Sequence, residues 1–134
     1  MTYKTNSSDE MFALALTLLH RLAEAKVVFL KGELGSGKTT FAQGVGRTLG
    51  VSSPLRSPTF TLVNVYEIKD GLVKRLVHAD LYRLESVDRY SWRDLGLEEY
   101  VAEKGTLVLV EWPERLSFIP EGLVVHFSVD SSAI

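Results

Sequence analysis

Gly32-Glu33-Leu34-Gly35-Ser36-Gly37-Lys38-Thr39 fits the pattern G-x-x-x-x-G-K-[ST] in full. An apolar run, Val27 to Leu30, precedes it, and a stretch with helical potential, Thr39 to Leu49, follows. That strand–loop–helix setting gives the pattern a mechanism. Glycines let successive backbone N–H groups curl around an anion, and the following helix adds its positive end. In such a loop Glu33, Gly35, Ser36, Gly37 and Thr40 present backbone or side-chain donors to phosphates. Lys38 reaches the β- and γ-phosphates, and the Thr39 hydroxyl ligates Mg²⁺. The stretch therefore predicts a nucleotide-binding P-loop domain.

The rest of the chain narrows the class. Its 134 residues suit one domain, residues 1–134, with a real core. Hydrophobic residues make up 46% and charged residues 24%, the composition of an ordinary globular protein. Fifteen basic and seventeen acidic residues give a net charge of −2, which argues against a general polyanion-binding surface. The absence of cysteine excludes disulfides, thiolate catalysis and Cys-based zinc sites, and fits a reducing compartment. No apolar run approaches the ~20 residues that span a bilayer. Met1 to Lys4 lacks the apolar segment of a signal peptide, so the expected location is the cytoplasm.

Along the chain, Ser7 and Glu10 have capping-box spacing before a helical pattern at Met11, Leu14, Ala15, Leu18, Leu19 and Leu22. Gly50 is positioned to cap the helix after the loop. Strand-like runs at 61–68 and 72–79 flank Asp70-Gly71, a strong hairpin signal. Residues 84–100 read as one or two short helices broken near Gly96. Thr106 to Val110 is wholly apolar apart from its first residue, as in a strand buried on both faces, and alternation from Leu123 to Val129 marks a last strand. Together these predict an α/β three-layer P-loop fold with a mixed, mainly parallel sheet and an antiparallel hairpin. Val27–Leu30 and Thr106–Val110 should be central, with the ligand at their C-terminal ends.

Hydrolysis needs a carboxylate as well as a phosphate cradle. Asp80 and Glu111 each end an apolar strand. Glu111, after Leu107-Val108-Leu109-Val110, has the Walker-B shape and would share Mg²⁺ with Thr39. Each acid also has a plainer reading, Glu111 as a surface acid and Asp80 as a helix N-cap before Leu81. Trp112 either packs beneath the site or meets nucleotide or partner. His78, on the Asp80 face of its strand, reads as a hydrogen-bonded structural residue. Ser57 and Thr59 flank Pro58 either as a γ-phosphate-sensing switch or as a plain turn. Arg56 and Arg83 are the arginines expected near the site.

Gly32 to Phe41 resembles the P-loop of the small bacterial ATPases of the TsaE (YjeE) family. The resemblance continues in Ser57-Pro58-Thr59-Phe60, in the His78-x-Asp80-x-Tyr82-Arg83-Leu84 block, in Asp94 to Tyr100, and in Val110-Glu111-Trp112. These blocks keep the family's order over roughly residues 7–130. The resemblance implies an ATPase that uses ATP and Mg²⁺ and joins the TsaD and TsaB subunits. In that complex TsaD transfers a threonylcarbamoyl group to an adenosine of tRNAs that read ANN codons, so tRNA would be met indirectly. It also implies catalytic roles for Lys38, Asp80 and Glu111, metal binding by Thr39 and Glu111, and a place for Trp112 close to the nucleotide. Met11 departs from the family, which commonly carries Thr there, and many relatives continue with Gly/Arg-containing sequence after the last strand.

Two other functions compete. A small-molecule kinase shares the P-loop and modest length but predicts an Arg-bearing lid. A nucleotide-dependent binding module without catalysis predicts that Asp80 and Glu111 are dispensable. No N-K-x-D run of the guanine-reading type is present, which favours ATP over GTP.

Overall fold

The computed structural model describes residues 2–51 and 62–129. Helix α1 (Ser8–Ala25) starts where its cap predicts. The Ser7 hydroxyl accepts the Glu10 N–H at 3.2 Å, and the Glu10 carboxylate accepts the Asn6 N–H at 3.1 Å. The reciprocal arm of this capping box thus lands one residue early. Strand β1 (Val27–Lys31) leads through the glycine-rich loop into α2 (Lys38–Leu49), which Gly50 closes at φ 87°.

The hairpin forms from β2 (Val63–Glu67) and β3 (Arg75–Asp80), joined by a turn in which Ile68 N–H bonds to the Lys74 carbonyl at 2.9 Å. Two short helices follow, α3 (Arg89–Asp94) and α4 (Leu97–Ala102), separated at Gly96. Then come β4 (Thr106–Glu111), a 3-10 turn at Pro113–Arg115, and β5 (Leu123–His126).

The sheet order is β2-β3-β4-β1-β5, parallel at every pairing except β2 with β3. Alternate strand residues feed two cores. Val28, Leu30, Leu76, Leu107 and Leu109 meet Ala15 and Leu22 of α1 and Phe41, Ala42 and Val45 of α2. Val27, Phe29, Val77, Ala79, Val108 and Val110 meet Leu81, Val87, Trp92 and Leu97 on the other face. The result is the three-layer arrangement expected from the sequence, with β4 buried along its whole length because helices cover both its faces. Among the described residues no helix is long and apolar enough to cross a membrane.

Three strands are shorter than their patterns suggested. Periodicity gives no stop signal of its own, and Phe127 already leaves the β5 ladder while its N–H still bonds to the Lys31 carbonyl at 2.7 Å. The hairpin strands likewise end before Ile68 and start after Lys74.

Candidate functional site

Parallel order brings the C-terminal ends of β1, β3 and β4 to one edge of the sheet. The register pairs Leu30 with Glu111 and Glu111 with Asp80, so both predicted acids emerge beside the glycine-rich loop. Leu34, Gly35, Gly37, Lys38, Thr39 and Thr40 from the loop and α2 face Asp80, Tyr82, Arg83, Glu111 and Trp112 across a cleft of about 420 Å³, which Leu62 also lines.

The loop holds its curl because side chains are excluded from it. At Gly37, φ is 108° and an added Cβ would lie 2.9 Å from the Met11 methyl. At Gly32 a Cβ would lie 2.6 Å from the Phe127 carbonyl oxygen and 2.8 Å from Ser36 Oγ. The backbone carbonyl leaves no room for a methyl group at Gly32, while at Gly37 the positive φ is the stronger bar, since the Met11 methyl can move aside. The Met11 departure is thus seated against the N-terminal end of α2. Ser36 Oγ is buried without a hydrogen-bond partner, an orphan donor inside the loop. Glu33 is exposed, and its carbonyl accepts the Ser36 N–H at 3.1 Å.

Lys38 is 4% exposed, and its ammonium is shared between the Gly32 carbonyl and the face of Trp112, 3.6 Å from the ring centroid. A buried ammonium held by one carbonyl and a π-face has donor capacity left for an anion. Trp112 reaches this position through left-handed backbone, φ 62° and ψ 51°, an unfavourable conformation for a bulky residue. No pattern in the sequence announces that twist. Tyr82 packs on the same indole at 4.9 Å between centroids.

Glu111 is 2% exposed. Its Oε1 accepts the Thr39 hydroxyl at 3.2 Å, and its Oε2 meets His78 Nε2 at 2.5 Å. The plain surface-acid reading of Glu111 therefore fails. Asp80 is no helix cap either, since its Oδ1 accepts the Tyr82 N–H at 3.0 Å in a turn from which no helix begins. Burial pushes the Asp80 carboxyl above its ordinary value. The Tyr82 N–H opposes that shift, the neighbouring Glu111 reinforces it, and His78 and Lys38 oppose it more weakly.

Thr39 and Glu111 form a hard-oxygen pair beside a phosphate-sized cradle, which fits Mg²⁺ completing its shell with water and phosphate oxygens. Among the described residues no cluster of three His, Cys, Asp or Glu could hold a metal by protein ligands alone. Of the other predicted participants, Arg83 lines the cleft, whereas Arg56 and Ser57–Phe60 lie outside the described residues. Tyr82 and Leu62 entered the site through tertiary placement, although Tyr82 stands only two residues beyond Asp80.

Residues 5–133 match the family model described as threonylcarbamoyl adenosine biosynthesis protein TsaE. A Nostoc protein named tRNA threonylcarbamoyladenosine biosynthesis protein TsaE is 41% identical over 110 residues, 80% of this chain and 64% of its own length. The Aquifex aeolicus protein of the same name is 40% identical over 111 residues, 81% of this chain and 74% of its own. The chain thus spans slightly under two thirds of the Nostoc relative. The crystal structure of Bacillus subtilis YdiB superposes with a TM-score of 0.59 at 32% identity, covering 96% of this chain and 77% of that one. With its P-loop fold, its loop-facing acids and a family match over nearly all its residues, the chain belongs to the TsaE family.

Proposed function

We propose that this chain is an ATPase of the tRNA threonylcarbamoyladenosine machinery, binding ATP with Mg²⁺ and hydrolysing it in the cleft between the glycine-rich loop and β3–β4. One observation carries the reading: the Thr39 hydroxyl and Glu111 carboxylate meet at 3.2 Å in the cleft that Lys38 and Asp80 also line. In this reading the loop amides, Lys38 and Thr40 hold the phosphates. Thr39 and Glu111 hold Mg²⁺, which when bound neutralises phosphate charge. Asp80 stands beside Glu111 as the group that orients the attacking water or takes its proton. Its raised pKa fits a base placed in a partly desolvated pocket. Trp112 fixes Lys38 and borders the nucleotide.

The relatives' names supply the pathway, and TsaD and TsaB are the proposed partners. Among the described residues Arg83 is the only arginine lining the cleft. A partner that adds charge or orders the site would raise turnover. The test is ATP hydrolysis by the purified chain with and without TsaD and TsaB. Slow solitary turnover that rises in the mixture is expected. Fast solitary turnover, or hydrolysis unchanged in Asp80→Ala and Glu111→Ala, would overturn the proposal.

A further inference from the structure

Beneath the cleft, His78 is fully buried in β3 and in register with Leu109, two residues before the Asp80–Glu111 pair. Its Nε2 lies 2.5 Å from Glu111 Oε2, while the other oxygen of that carboxylate points to Thr39. Nδ1 is buried with no hydrogen-bond partner. With a proton on Nε2 the ring donates to Oε2, and Nδ1 is left without a partner.

We propose that His78 is a positioning residue for the cation site: it clamps Glu111 Oε2 so that Oε1 is presented beside the Thr39 hydroxyl. This rests on the proposed Mg²⁺ role of that pair. The need for a clamp follows from the surroundings. A glutamate carboxyl turns freely about its last bond, and Asp80 stands next to it in the adjoining strand. Repulsion between two neighbouring carboxylates favours turning Glu111 away, and a donor fixed from below holds it. An outer hydrogen bond that orients a metal-binding carboxylate commonly changes metal affinity tenfold or more when lost.

The test compares His78→Gln with His78→Asn. The Gln amide nitrogen falls near the position of Nε2, whereas the Asn amide nitrogen falls near Nδ1 and stops short of Glu111. Binding of ADP is measured with EDTA and across a Mg²⁺ titration, alongside thermal melting. The expected result is ADP affinity in EDTA within twofold of the parent for both variants. His78→Asn should lose at least tenfold of the Mg²⁺-dependent gain and His78→Gln should keep most of it. If Gln and Asn behave alike across the Mg²⁺ titration, the clamp is wrong. If the parent chain itself shows no Mg²⁺-dependent gain, the cation site of the proposed function fails and the clamp fails with it.

Discussion

Asp80 and Glu111 stand side by side in register at the ends of two parallel strands, one half-buried and the other 2% exposed. Sheet geometry enforces their proximity, so ionising both works against folding. The sign follows from Asp80, whose carboxyl is raised above its ordinary value by burial first and by Glu111 among the lesser causes. Such a group contributes most stability when both folded and unfolded chains hold the proton, and that contribution is lost as pH rises through the folded-state pKa. Asp80→Asn keeps the acceptor for the Tyr82 N–H and removes the charge. It should therefore raise Tm at neutral pH, with the gain shrinking as pH falls towards 3.8. Melting curves across pH check this, and ATP hydrolysis by the same variant should be lost.

Lys38→Ala removes what is, among the described residues, the one buried ammonium in the cleft. Loss of a charge-stabilising donor of this kind typically costs about 10²–10³ in rate. A fall of that size in kcat/KM for ATP is expected, measured by phosphate release. Thr39→Ala should instead show its loss mainly as a weakened Mg²⁺ dependence.

Trp112 separates backbone strain from side-chain function. Its left-handed conformation costs an L-residue about 1–2 kcal/mol, which glycine escapes. Both Trp112→Ala and Trp112→Gly lose the ring under Lys38. Chemical denaturation should nevertheless find the Gly variant the more stable of the two by about 1 kcal/mol.

Gly37→Ala places a methyl group 2.9 Å from the end of Met11 and forces φ 108° on a residue with a Cβ. Pairing it with Met11→Ala relieves the clash but not the backbone strain. ADP binding by the double variant should recover only in part, measured by titration calorimetry.

Ser7→Ala serves as a remote control. It removes an exposed cap worth about 1 kcal/mol and should lower Tm by roughly 4 °C without changing ATP turnover per folded molecule.

Much of this was legible in the residues themselves. The glycine-rich loop fixed its own flanks, Ser7 and Gly50 marked helix ends, and the unbroken Leu107–Val110 run identified a strand covered on both faces. Glu111 followed from that run. What escaped was whatever depends on register between distant segments. His78 and Glu111 are 33 residues apart, and only the pairing of β3 with β4 sets one under the other. The Trp112 backbone was equally hidden, because a left-handed tryptophan contradicts local preference and is held by its surroundings. Asp80 resembled a cap because a carboxylate before a turn and one before a helix share a local pattern.

The brace on Gly32 has a consequence for biosynthesis. The Phe127 carbonyl crowds that glycine, its ring packs on Phe41 at 5.4 Å between centroids, and β5 pairs along β1. Residues 123–127 leave the ribosome more than eighty positions after the loop they steady. A nascent chain with residues 27 to 49 already outside the exit tunnel therefore still lacks the segment that packs beside Gly32 and against Phe41.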